Sequence, residues 1–82
     1  MIIDVREPEE FSIDHVEGAV NIPPSELMAG SDKLDGVDKD TELILYCVSG
    51  SRSNVSANIL RSQGFTNIVN GINKQQVKAK YL

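Results

Sequence analysis

The sequence predicts an α/β fold: a parallel sheet of roughly four strands, flanked by helices. Short runs of strand-forming residues alternate with helical or turn segments along the chain, and such alternation favours a parallel sheet with right-handed crossovers. The run over residues 43–46 is apolar throughout, as is typical of a strand buried on both faces. The 82 residues are enough for one small domain, residues 1–82, and leave no room for a second.

The first half of the chain contains two predicted strands and two short helices. Proline suits the first turn of a helix but cannot donate to a sheet ladder. The first proline therefore starts a helix, and the paired prolines at 23 and 24 end a strand. The predicted elements are a strand over residues 2–5, a helix over 8–15, a strand over 19–22, one helical turn over 25–29 and a polar turn region over 31–41.

The second half contains the strongest predicted elements: a strand over residues 42–46, a helix over 52–63, a short strand over 67–69 and a final helix over 72–82. The spacing of Val55, Ile59 and Leu60 predicts that they share one apolar side of the helix. Gly64 is its predicted stop, in the left-handed conformation. The dipeptide Asn70-Gly71 predicts a turn after the last strand.

Composition and charge exclude several classes of function. The net charge is −4, whereas nucleic acids are usually met by a basic face, so we expect no nucleic-acid partner. No apolar run approaches the roughly 20 residues that cross a bilayer, and the chain starts without the basic segment and apolar core of a secretory signal. If the chain is complete, we expect a cytoplasmic protein. One cysteine and one histidine cannot supply the usual ligands of zinc.

Cys47 is the candidate catalytic residue. It is the only cysteine of the chain, and it stands between the predicted strand over residues 42–46 and the helix that follows. At such a junction the sulfur faces the amides and the positive dipole end of the helix, which favour the nucleophilic thiolate. If the first and third strands are neighbours, Arg6 shares this edge of the sheet, where parallel sheets bind ligands.

The residues after Cys47 predict an anion cradle around the sulfur. Gly50 can adopt a positive φ, so that the loop curls with its amides pointing inward. Ser49 and Ser51 add hydroxyl donors, and Arg52 adds a permanent cation. Such a cradle could hold a thiolate, a persulfide, the oxyanion end of a sulfur donor or a phosphate-like group. The alternative is a buried cysteine that merely ends a strand.

Three segments together resemble the rhodanese family. Residues 47–53, Cys-Val-Ser-Gly-Ser-Arg-Ser, resemble the active-site loop of that family, and residues 3–11 with 15–23 resemble its other signature. Residues 64–71 match the strand that normally follows the active-site helix. The resemblance covers nearly the whole chain. It implies the compact single-domain type, similar to phage-shock sulfurtransferases although without their export signal.

The resemblance implies a thiosulfate sulfurtransferase-like activity that needs neither metal nor organic cofactor. Cys47 would attack the outer sulfur of a donor such as thiosulfate and hold it as a persulfide. A thiophilic acceptor would then remove it: cyanide, a thiol, or a protein cysteine such as that of a sulfur-relay protein. The amides of five residues would bind the donor and stabilise the sulfur anion: Val48, Ser49, Gly50, Ser51 and Arg52.

Other residues of the resemblance carry narrower expectations. Val48 stands where relatives often have an arginine, and the missing cation makes thiosulfate a provisional donor. We expect Asp4 and Arg6 to form a structural ion pair or backbone clamp under the active-site edge, with direct substrate contact as the alternative. His15 is expected to be a packing histidine, with a general base as the alternative.

Two other functions remain open from the sequence. A tyrosine-phosphatase-like or arsenate-reductase-like enzyme also uses a cysteine in an anion cradle, but such enzymes usually place five residues between cysteine and arginine. This chain has four, and the smaller loop suits sulfur better than a tetrahedral phosphate. A rhodanese-like module that binds or regulates a partner without catalysis is the second alternative, although such a role does not require an intact Cys47.

Overall fold

The four strands form one parallel sheet in the order β2-β1-β3-β4. The computed structural model describes all residues from 1 to 82. Its strands are β1 (Ile2–Asp4), β2 (Val20–Asn21), β3 (Leu43–Tyr46) and β4 (Ile68–Ile72). Its helices are α1 (Pro8–Ile13), α2 (Pro24–Met28), α3 (Ser51–Ser62) and α4 (Lys74–Tyr81), with a 3₁₀ turn at Asp32–Leu34. The predicted α/β class is confirmed, and so is the adjacency of the first and third strands.

The central strand β3 separates two apolar clusters, as its continuous apolar sequence predicts. Leu43 and Leu45 pack on the face that α2 and α3 cover. Ile44 and Tyr46 pack on the opposite face with Val77 of α4. All four residues of the strand are buried, so both faces of the sheet are covered by helices. None of these helices has the length and apolar character needed to cross a membrane.

Helix α3 ends as predicted, but its buried side differs from the prediction. Gly64 has φ of 98°, and the amides of Gly64 and Phe65 donate to carbonyls of the last helical turn, which is a Schellman stop. Val55 is exposed, whereas Ser53 and Ser56 are buried. The prediction for Val55 is wrong because the hydroxyls of the two serines find acceptors inside the protein, Oδ1 of Asn70 for Ser53 and the carbonyl of Arg52 for Ser56, so that these serines can face inward.

The turn predicted at residues 70 and 71 is wrong, because both residues lie inside β4. The ladder with β3 skips Gly71 and resumes at Ile72, which makes Gly71 the extra residue of a β-bulge. A Cβ atom on Gly71 would lie 3.0 Å from the carbonyl oxygen of Leu45 and 2.6 Å from Val77. Glycine is therefore required here by close packing. The bulge leaves Ile72 at φ of 73°, a strained conformation for a β-branched residue.

Candidate active site

Cys47 follows β3 directly, at the carboxyl edge of the sheet. Its amide donates to the carbonyl oxygen of Ile72 at 3.1 Å, so the bulged end of β4 fixes the start of the loop. Gly50 then reverses the chain with φ of 94° and forms the N-cap of α3. Cys47 is only 2% exposed, and its sulfur therefore lies at the bottom of the loop rather than on the surface.

The loop directs hydrogen-bond donors at the sulfur. The amide of Gly50 donates to Sγ of Cys47 at 3.1 Å, and Oγ of Ser53 lies 3.6 Å from the same sulfur. Burial raises the pKa of Cys47, but the amide and hydroxyl of Ser53 and the amides of Gly50 and Ser49 lower it by more. The net pKa is below the ordinary value of a thiol. This arrangement favours the thiolate, the reactive form of cysteine.

The rim of the loop is more exposed than its floor. Val48 is 60% exposed, so the residue beside the cysteine presents an apolar side chain to solvent. The hydroxyls of Ser49 and Ser51 lie 3.4 Å from each other. Neither of these hydroxyls forms a hydrogen bond with Cys47, and the hydroxyl that does approach the sulfur belongs to Ser53.

Arg52 is the cation that the sequence predicts, but in the structure it is paired with a carboxylate. Its guanidinium donates to both carboxylate oxygens of Glu10 in α1, at 2.7 and 3.2 Å. The hydrogen bond from Arg52 has the largest effect on Glu10 and that from the Glu7 amide the next largest, and together they lower the pKa of Glu10 to about 2. Because Glu10 is charged in the folded protein down to that pH, the ion pair persists throughout the neutral and moderately acidic range. Most of the positive charge that the loop could offer an anion is thus balanced locally.

Asp4 and Arg6 form the predicted ion pair, and it is buried. Arg6 Nη2 and Asp4 Oδ2 are 2.7 Å apart, with side-chain exposures of 8% and 0%. The hydroxyl of Tyr46 also donates to Asp4, at 2.9 Å, and Arg6 donates onward to the carbonyl of Asp14 at 2.6 Å. These inward contacts support the clamp interpretation over substrate contact. Burial, the largest cause, raises the pKa of Tyr46 to about 12, so its hydroxyl remains a donor.

His15 lies two residues after the end of α1, and its exposed side chain packs on Phe11. Its ring stacks on Phe11 with ring centroids 3.7 Å apart, and Nδ1 lies 2.8 Å from the Phe11 carbonyl oxygen. The side chain is thus engaged within its own segment of the chain, which supports the packing role.

Asn70 is a site residue that the sequence does not reveal. Its side chain lies behind the Cys47 loop and contacts the hydroxyl of Ser53, the carbonyl of Gly50 and the amide of Ile72. A turn at Asn70-Gly71 does not predict where the Asn70 side chain lies, whereas the bulge in β4 directs it towards the loop. Glu10 is likewise missed, because its position in the first helical turn explains it without any reference to Arg52.

Comparisons with known proteins agree with this geometry. The family described as "Rhodanese-like domain" matches residues 1–73. A putative sulfur carrier protein, YrkF of Bacillus subtilis, is 38% identical over 69 residues, which are 84% of this chain and 36% of that protein. The thiosulfate sulfurtransferase PspE of Escherichia coli is 36% identical over 70 residues, 83% of this chain and 64% of that protein.

Solved structures share the fold as well. The structure described as "rhodanese with anions from E. coli" has a TM-score of 0.79 and 34% identity to this chain, and the match covers 92% of this chain and 87% of that one. The chain therefore spans less than two thirds of the two curated relatives but most of this solved chain. The family match, the identities and the shared fold place this chain in the rhodanese-like domain family.

Proposed function

We propose that this chain is a sulfurtransferase that carries a sulfane sulfur on Cys47. The observation that supports it most is the buried sulfur at the carboxyl edge of the sheet, which accepts the amide of Gly50 at 3.1 Å. A thiosulfate sulfurtransferase and a putative sulfur carrier among the relatives support the same chemistry. The lone unpaired cysteine suits a reducing compartment, and we propose a cytoplasmic location for this activity.

The reaction proceeds in two displacements at sulfur. In the first, the Cys47 thiolate attacks the outer sulfur of the donor, the donor's S–S bond breaks, and the leaving group departs with the electron pair, as sulfite when thiosulfate is the donor. In the second, a nucleophilic acceptor attacks the outer sulfur of the persulfide, and the Cys47 thiolate is released. Each step is easier than direct transfer. The amides around the sulfur stabilise the negative charge at both stages.

The acceptor is a small thiophile, a thiol or a protein cysteine. A sulfur-relay protein is the acceptor class that the putative sulfur carrier among the relatives supports. Stopped-time assays that follow thiocyanate formation from thiosulfate and cyanide test the activity itself. Transfer that follows the concentration of folded protein supports the proposal, and no transfer to cyanide or to any thiol from any donor contradicts it.

The donor preference follows from Val48 and from the Arg52–Glu10 ion pair. Thiosulfate is a dianion, yet the residue beside Cys47 is apolar and the cation of the loop is bound to a carboxylate. We therefore propose that thiosulfate is a usable donor with weak affinity. A persulfide, whose reacting S–S group carries at most one negative charge, is the better matched donor.

Replacement of Glu10 by glutamine is expected to lower the KM for thiosulfate by a factor of roughly three to ten, because Arg52 then acts on the donor with its full charge. Steady-state kinetics with thiosulfate and with a glutathione persulfide donor measure this effect. Asp14→Asn is the matched control, since it removes one carboxylate charge from the ion pair with Lys74 and leaves Arg52 paired. Equal KM values for the two variants would contradict the role given to Glu10.

A further inference from the structure

The orientation of the Asn70 amide is fixed by two partners of opposite kind. Its Oδ1 lies 3.0 Å from the amide nitrogen of Ile72, and its Nδ2 lies 3.1 Å from the carbonyl oxygen of Gly50. A backbone amide can only donate and a carbonyl can only accept. The oxygen of Asn70 must therefore face Ile72, and the flipped alternative would lose both bonds.

This orientation determines where the Ser53 hydroxyl sends its proton. Oγ of Ser53 lies 2.6 Å from Oδ1 of Asn70, and because Oδ1 only accepts, Ser53 is the donor. The carbonyl of Gly50 at 3.1 Å and the sulfur of Cys47 at 3.6 Å are more distant acceptors for the same proton. A hydroxyl has one proton. Ser53 therefore presents oxygen lone pairs to the sulfur, and a Cys47 thiol can donate its own proton to them.

We propose that Asn70 is a positioning residue for Cys47: Oδ1 of Asn70 competes with Sγ of Cys47 for the single proton of the Ser53 hydroxyl. When Cys47 loses its proton to solvent, the hydroxyl turns about the Cβ–Oγ bond and donates to the thiolate, because a charged acceptor binds a donor more strongly than a neutral one. Asn70 keeps its bond from the Ile72 amide. No proton is gained or lost by Ser53 or by Asn70.

The same rotation follows the charge through sulfur transfer. In the persulfide, the negative charge lies on the outer sulfur and Sγ is neutral, so the Ser53 hydroxyl returns to Asn70. When an acceptor removes the outer sulfur, Sγ leaves as a thiolate and regains the hydroxyl donor. Asn70 thus keeps the Ser53 hydroxyl close to Sγ, where it can donate to the leaving thiolate of the second displacement.

Fixed charges near the loop do not change in this exchange. The ion pairs on the surrounding elements are Arg52 of α3 with Glu10 of α1, Arg6 with Asp4 of β1, which also accepts from Tyr46, and Lys74 of α4 with Asp14. The remaining charged groups there are Glu7 and Glu9 at the start of α1, Arg61 of α3, and Lys78 and Lys80 of α4. Strand β4 itself contributes no titratable side chain. An uncharged substitution at Asn70 therefore acts on Cys47 through the hydroxyl and the loop alone.

The test is a double-mutant cycle on the pKa of the Cys47 thiol, read from the pH dependence of its alkylation by iodoacetamide. Asn70→Ala is expected to lower that pKa by roughly half a pH unit, because the Ser53 hydroxyl becomes freer to donate to the thiolate. In the Ser53→Ala background the same change is expected to produce no such drop. A rise in both backgrounds, as a loosened loop would give, overturns the proposal.

A second cycle keeps the test decisive if Asn70→Ala unfolds the chain. Asn70→Asp retains an acceptor oxygen for Ser53 and adds a negative charge, which raises the thiol pKa in both backgrounds. The proposal predicts a larger rise of the thiol pKa when Ser53 is present, because the introduced carboxylate accepts the Ser53 hydroxyl proton more strongly than the amide does. Equal rises in the two backgrounds overturn the proposal. The proposal uses the cysteine of the proposed function, but its readout is acidity, so its failure and a failure of sulfur transfer are separate results.

Discussion

Replacement of Cys47 by serine is expected to abolish sulfur transfer, lowering kcat by roughly a thousandfold or more. A serine hydroxyl remains protonated at neutral pH, whereas the loop lowers the pKa of the Cys47 thiol and so increases the fraction present as thiolate. A hydroxyl oxygen also cannot carry a sulfane sulfur as a persulfide. The substitution is nearly isosteric, so the fold is expected to persist.

Turnover with a saturating donor and acceptor measures this effect, and thermal unfolding checks the fold. Ser62→Ala is the matched control, because Ser62 lies at the far end of α3 and its hydroxyl bonds only the carbonyl of Ile59. We expect this control to retain full activity. Sulfur transfer by Cys47→Ser at more than a few per cent of the original rate would show that the chemistry does not pass through this residue.

Replacement of Asp4 by alanine is expected to lower the free energy of unfolding by about 3–5 kcal/mol. The change leaves the buried guanidinium of Arg6 without its carboxylate and the hydroxyl of Tyr46 without its acceptor. Burying an uncompensated charge costs far more than losing an exposed pair. A chain of this size has a thin margin of stability, so the variant is expected to be partly or wholly unfolded at 25 °C.

Urea unfolding monitored by circular dichroism measures this loss. Asp14→Ala is the matched control: its carboxylate pairs with Lys74 but is 58% exposed, and exposed pairs contribute at most about 1 kcal/mol. The Asp14 backbone carbonyl that accepts from Arg6 is retained in this control. Similar losses in the two variants would contradict the role of the buried ion pair.

The parts of the fold that local chemistry determines were predictable from the sequence. The continuous apolar run of β3 predicts burial on both faces, and Gly64 predicts the end of α3 because a left-handed residue is needed there. The turn at Asn70-Gly71 fails for the converse reason. Glycine at position 71 is needed for the close approach to Leu45 and Val77, and pairing with β3 overrides the local preference for a turn.

The candidate site also contains residues that the local sequence predicts and residues that only the packing of the fold brings together. Cys47 and Gly50 are neighbours in the sequence, and their relation to a strand end and a helix start can be inferred from the loop alone. Glu10 and Asn70 reach the loop from α1 and β4, and only the packing of the sheet brings them there. The sequence therefore identifies the nucleophile but not the partner that binds Arg52 or the acceptor that engages Ser53.

The central claim is that Cys47 carries a sulfane sulfur, and intact-mass spectrometry tests it most directly. The protein is incubated with excess thiosulfate, or separately with a glutathione persulfide, then desalted and weighed. We expect the added mass of one sulfur atom, mapped to the peptide that contains Cys47, and its complete removal by cyanide or a thiol. No added sulfur from either donor, while iodoacetamide still alkylates Cys47 in the same sample, would contradict it.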